Sequence, residues 1–140
     1  MEVLLKEADR WLRQAEYDLR AAEWNREGGF HAPACFWAQQ AAAKALRAFL
    51  FLNKEDAVLT RSVADLLDRA MTYEEEFKRL VGTSTSLDLY YKTARFPDAL
   101  PGGIPAEVIS VKDSTDAVKQ ASDIVAIVER VRKDYLPETL

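Results

Sequence analysis

The sequence predicts an all-α protein, an antiparallel up-and-down bundle of about five helices. Apolar residues recur every three or four positions along most of the chain, which is the period of one helix face. Glycines, prolines and capping residues fall between those periodic stretches rather than within them. A chain of 140 residues, 49% hydrophobic and 30% charged, can bury one core, so residues 1–140 read as a single domain.

The first helix runs from Leu4 to Glu27. Leu4, Ala8, Trp11, Leu12, Ala15, Leu19 and Ala22 mark its apolar face, with Lys6, Arg10, Arg13, Glu16 and Arg20 opposite. Gly28-Gly29 stops it, and Pro33 suits the first turn of a second helix ending at Leu52. There Ala38, Ala41, Ala42, Ala45, Leu46, Phe49 and Leu52 share one broad face. Gln40, Lys44 and Arg47 line the other, between Phe36, Trp37 and Phe51. A helix apolar on two sides is central to its bundle or lies at a subunit interface. With three tryptophans (Trp11, Trp24, Trp37), it supports a homodimer.

After a loop from Asn53 to Leu59, Thr60 or Ser62 can cap a short helix from Val63 to Ala70. Thr72 and Glu75 have capping-box spacing and open a fourth helix through Leu80. Gly82 to Ser86 breaks it before Leu87 to Ala94 resumes. Pro97, Pro101, Gly102, Gly103 and Pro105 punctuate a connection without regular pattern. Ser110 with Asp113 starts the last helix, Val111 to Asp134, whose stripe includes Val118, Ala121, Ile124, Val125, Val128 and Val131.

Composition excludes several functions. Nineteen Lys and Arg against twenty-three Asp and Glu give a net charge of -4, so any anion site must be a local patch. One cysteine and one histidine rule out an intramolecular disulfide and the usual zinc ligand sets, and neither metal nor cofactor is expected. Cys35, on an apolar helix, reads as an inert buried thiol. No apolar run approaches the ~20 residues of a membrane span, and the acidic start is unlike a signal peptide. A cytoplasmic protein is expected.

Two sets of residues could carry chemistry. Arg26 and His31 could supply a phosphorane-stabilising cation and a proton shuttle, but they straddle the Gly28-Gly29 turn. A turn or capping histidine is the other reading. Gln40, Lys44 and Arg47 follow an i, i+4, i+7 track; Asp88, Tyr91 and Arg95 follow i, i+3, i+7, with Asp98 just beyond Pro97. If these faces meet, they make either a phosphate- and base-binding pocket or an ion network, with Arg95 paired to Asp98, that joins the helices.

At these residues the chain resembles the HEPN family, the higher eukaryote and prokaryote nucleotide-binding domains. The likeness includes Trp11-Leu12-Arg13-Gln14-Ala15-Glu16-Tyr17-Asp18-Leu19 and the Gly29-Phe30 turn. It continues through Gln39-Gln40-Ala41 with Lys44 and Arg47, and through Tyr90-Tyr91 with Arg95-Phe96-Pro97-Asp98. The resemblance implies an all-α bundle that commonly pairs as a homodimer. Its members are metal-independent ribonucleases, partners of small nucleotidyltransferases in toxin–antitoxin systems, or proteins of unassigned role. The chain departs from the pattern in three places. Ala43 stands where the family often has Glu, Arg61 follows Thr60 where it often has His, and no histidine follows Arg95 where nuclease branches carry Arg-x4-6-His. Arg61 cannot shuttle protons, its pKa being above ~12, but it can hold a phosphate. The expectation is a catalytically degenerate module that binds a nucleotide or RNA, or partners a nucleotidyltransferase, through Gln40, Lys44, Arg47, Arg61, Tyr91, Arg95 and Asp98. The alternative is an active metal-independent endoribonuclease using Arg26 and His31.

Overall fold

The computed structural model describes residues 2–55 and 60–135. Among them are seven α-helices: α1 (Glu2–Glu27), α2 (His31–Leu52), α3 (Val63–Ala70), α4 (Val81–Ser84), α5 (Tyr90–Thr93), α6 (Pro105–Val108) and α7 (Val111–Tyr135). No strand occurs among the described residues. The fold is the all-α bundle expected from the sequence.

Three long helices form its frame. The hydroxyl of Tyr135 donates to Asn53 at one end, and His31 meets Ser114 at the other, so α2 and α7 run the same way. Arg132 near the end of α7 donates to Asp9 near the start of α1, which runs oppositely. Between them α2 is buried almost all round, from Ala34 and Cys35 through Leu46 to Phe51. Its two apolar faces are thus used within its own bundle. Fully buried alanines on both sides (Ala15 and Ala22 of α1, Ala38, Ala41 and Ala45 of α2) let the backbones approach closely.

The helix ends differ from expectation in instructive ways. α2 begins at His31, two residues early, with Pro33 inside the first turn, where its missing N–H costs nothing. The fourth helix is broken, as the Gly82–Ser86 stretch predicts, but into an arm of short helical pieces rather than two helices. Thr72 turns its hydroxyl back to the Arg69 carbonyl, and Glu75–Leu80 forms a 3-10 helix. α4, a second 3-10 helix (Thr85–Leu89) and α5 follow. Here Thr83, Thr85 and Ser86 bond to the carbonyls of Leu80, Val81 and Thr83. Hydroxyls that compete for backbone groups weaken a regular helix. Phe77 still anchors the arm, its ring 4.9 Å from that of Phe49. In the connection that follows, Pro97–Ala99 and α6 are short helical turns, each with proline in its first turn.

Two predictions arise here. Cys35 is fully buried, and burial, then the charge of Asp113, pushes its thiol up to about 12. Iodoacetamide should leave Cys35 unmodified in the folded protein and alkylate it in denaturant; labelling at equal rates in both would refute this. Lys54, just past α2, holds a φ of 67°, in the left-handed region that costs a side chain free energy. Lys54→Gly should raise stability by about 0.5–1 kcal/mol in urea titration.

Candidate functional site

The polar track of α2 faces a cavity of about 260 Å³. Gln40, Lys44 and Arg47 line it with Arg61, just ahead of α3, and Trp11 of α1; Ala43 and Leu66 complete its wall. Four of the seven residues expected to bind ligand therefore share one pocket. Trp11 was missed because its place in the apolar series of α1 marked it as core. It packs against Phe51, yet it also carries the Arg47 guanidinium 4.7 Å from its ring centroid, and its indole N–H donates to Glu7.

The charges of this pocket are unevenly compensated. Lys44 Nζ lies 2.5 Å from Asp18, which is 1% exposed and also accepts from the Gln14 amide at 2.8 Å. Arg47 Nη2 donates to the Thr60 carbonyl at 2.9 Å. Burial first, and then the charge of Arg61, pushes the Arg47 pKa down. No carboxylate pairs with either arginine among the described residues. Two guanidiniums thus face one pocket with no carboxylate partner among the described residues, and the Trp11 ring adds a flat apolar wall.

Asp88 holds this geometry from outside the cavity. Its carboxylate accepts from the backbone N–H of Val63 (2.7 Å) and Ala64 (3.0 Å) and from the Ser62 hydroxyl (2.8 Å), capping α3. It also accepts from the buried Gln39 amide at 3.2 Å, and the same amide donates to the Arg61 carbonyl at 3.3 Å. Gln40 in turn donates to Gln39 Oε1 at 2.9 Å. The segment bearing Arg61 is thereby fixed against α2.

Tyr91, Arg95 and Asp98 do not line the cavity. The Arg95 guanidinium instead rests against three rings, 4.4 Å from Phe36, 4.7 Å from Tyr91 and 4.8 Å from Phe96. Its Nε donates to the Tyr91 carbonyl at 2.8 Å. Asp98 is exposed in the Pro97–Ala99 turn, and the expected Arg95–Asp98 pair does not form, because the rings take the guanidinium. Phe36 lies one helical turn, about 6 Å of axial rise, before Gln40, so the Arg95 cluster neighbours the pocket along α2.

Arg26 and His31 are placed apart from both. His31 Nδ1 is 2.8 Å from Ser114 Oγ, whose hydroxyl also lies 3.0 Å from the Val111 carbonyl. When that hydroxyl donates to the carbonyl, the imidazole nitrogen is the donor, and the bond ties α2 to α7. No hydrogen bond joins Arg26 to His31 among the described residues, and Arg26 Nε is enclosed without a partner.

A wider, open groove of about 800 Å³ runs along α1 and meets the pocket at Trp11 and Lys44, which line both. Arg13, Tyr17 and Arg20 project into it, with Arg20 over the Tyr17 ring. Among the described residues no cluster of three or more His, Cys, Asp or Glu could hold a metal ion, and no helix is long and apolar enough to cross a membrane.

Comparison with known proteins agrees with this architecture. The HEPN domain profile matches residues 8–131. The fold superposes on TT1696 from Thermus thermophilus with a TM-score of 0.81 at 35% identity, covering 89% of this chain and 97% of that one. It is similar to ST0689, an archaeal HEPN homologue (TM-score 0.75, 28% identity, 91% and 98% covered). It is also similar to the HEPN domain protein TM0613 of Thermotoga maritima (TM-score 0.67, 30% identity, 87% and 96% covered). No functionally curated protein matches in sequence. Profile and structures together cover the bundle and its pocket, and the chain belongs to the HEPN domain family.

Proposed function

We propose that this HEPN domain binds the phosphate of a nucleotide or of RNA in the Gln40–Lys44–Arg47–Arg61 pocket, without cleaving it. The observation that carries this reading is the facing pair Arg47 and Arg61, which share a pocket without a carboxylate among the described residues. Such a pair repels itself until an anion enters. Trp11 offers a base-sized ring beside them, and Arg95 on its three rings supplies a third guanidinium nearby. His31, the one imidazole of the chain, is engaged with Ser114 rather than with this pocket.

Arg61→Ala should weaken binding of a fluorescent nucleotide or short RNA about tenfold, the loss of one charge-assisted contact, while the helical spectrum stays unchanged. Unchanged affinity ends the reading. Arg95→Ala should weaken binding too, with only about 1 kcal/mol lost in stability, since no ion pair with Asp98 is broken. RNA cleavage in excess chelator that disappears in His31→Ala would establish the endoribonuclease alternative instead.

The same reading includes self-association. Trp24 is 78% exposed at the end of α1, with Tyr17 and Phe30 also exposed. Solvent-facing aromatics of this size mark interfaces. Sedimentation should give about twice the 15.8 kDa chain mass; a monomer at tens of micromolar refutes it. A small nucleotidyltransferase, as in toxin–antitoxin pairs, is the protein partner this reading admits.

A further inference from the structure

The phosphate pocket does not end at its own wall. It shares Trp11 and Lys44 with the groove of about 800 Å³ that runs along α1. Arg10, Arg13, Tyr17 and Arg20 line that groove at positions i, i+3, i+7 and i+10, so one face of α1 carries all four. From Trp11 to Arg20 this face rises about 13.5 Å along the helix axis. A pocket sized for one nucleotide therefore opens onto a basic path longer than one nucleotide.

The cations of this face differ in how firmly they are held. Arg10 is bound to Glu7 at 2.6 Å, and Glu7 also accepts from the Trp11 indole. Arg13 lies 3.8 Å from Asp9, whose carboxylate Arg132 of α7 takes at 2.9 Å. Arg20 forms no ion pair among the described residues, and its guanidinium lies 5.7 Å from the centre of the Tyr17 ring. Glu16, the other carboxylate of the groove, is half-buried and also lines a crevice of about 280 Å³ toward α7. The Tyr17 side chain is 60% exposed, so its ring is open to solvent rather than packed into the bundle. Trp24 and Phe30 do not line this groove.

Resting on the anion-binding reading above, we propose that this groove is a track for single-stranded RNA leading out of the phosphate pocket. One phosphate sits between Arg47 and Arg61. The strand then follows α1, its next phosphates meeting Arg13 and Arg20 and a base stacking on Tyr17. Every base has a face to stack, so the track holds a strand without reading its sequence. A duplex keeps its base faces inside its own stack and leaves Tyr17 nothing to bind. The net charge of -4 supplies no overall field for nucleic acid, which confines the strand to this local path.

The probes are adenosine 5′-monophosphate and an octa-adenylate carrying a 5′-phosphate, which share the nucleotide that the pocket takes. Wild type should bind the octamer about tenfold or more tightly than the mononucleotide. Tyr17→Ala should cost the octamer about tenfold, the loss of one stacked base, and leave the mononucleotide unchanged. Arg20→Gln should cost the octamer about three- to fivefold and lower its slope of log affinity against log salt by about 0.7, one phosphate contact on a single strand. Both side chains are exposed, so the helical spectrum and the melting temperature should stay as in wild type. Arg61→Ala should weaken both probes. Equal affinity for the two probes overturns the track while the pocket reading stands. So does a tighter octamer that is indifferent to Tyr17→Ala and Arg20→Gln, or a blunt duplex of the same length that binds as tightly. If Arg61→Ala leaves both affinities intact, the pocket reading fails, and the path out of that pocket fails with it.

Discussion

Asp88→Ala should cost about 3–5 kcal/mol of stability, the largest loss expected from any single substitution outside the apolar core. One carboxylate accepts from two backbone N–H groups of α3, from Ser62 and from Gln39. Alanine leaves all four donors without it. Gln39 is 1% exposed, so its amide cannot turn to water, and an unpaired buried donor costs about 1–3 kcal/mol. The two α3 amides lose their cap as well. Ser62 still caps Asp65 N–H, but α3 has only eight residues, and its own hydrogen bonds hold it less well once its first two amides are free. The Arg61 segment should loosen with it, and nucleotide affinity should fall alongside. Asp88→Asn keeps one acceptor and should recover part of the loss. Chemical denaturation measures both; a cost below about 1 kcal/mol for alanine would show that the cap carries little.

Asp18→Ala should produce two effects of opposite sign. Asp18 is almost fully buried, and its carboxylate holds Lys44 at 2.5 Å and the Gln14 amide at 2.8 Å. Breaking a buried pair from one side costs about 3–5 kcal/mol. Here the figure falls to about 2–3, because the Lys44 side chain is 23% exposed and can swing outward. That movement releases an ammonium into the pocket with Arg47 and Arg61. Anion affinity should therefore rise severalfold while the melting temperature drops. Adding Lys44→Met should remove the affinity gain and return part of the stability. If Asp18→Ala weakens binding while the fold persists, Lys44 serves the ligand through its pair with Asp18 rather than against it.

The long helices were legible because their burial follows one period. In α1 and α7 every third or fourth residue is apolar, and each packs chiefly on α2. The arm from Glu75 to Thr93 was not legible as short pieces. Gly82 to Ser86 marked the break, but capping-box spacing at Thr72 and Glu75 promised a regular helix where a 3-10 helix forms, and spacing does not show that the Thr72 hydroxyl turns to the Arg69 carbonyl. The α2 half of the pocket could be read directly, since Gln40, Lys44 and Arg47 share a face by spacing alone. Its other half could not. Trp11 carries an apolar label that hides its pocket-facing ring. Arg95 has an acidic neighbour in sequence, yet it stacks on Phe36, which is remote in the chain.

Helix α2 grips the segment ahead of α3 by its main chain: Arg47 reads the Thr60 carbonyl and Gln39 the Arg61 carbonyl. Neither bond consults the side chain at position 61. That residue is a socket on a fixed mount, and its chemistry can be exchanged without rebuilding what surrounds it. Placing an imidazole there would put a titrating group opposite the Arg47 guanidinium, at a cost confined to one exposed side chain. Binding and proton-transfer versions of this scaffold would then be separated by a single interchangeable residue.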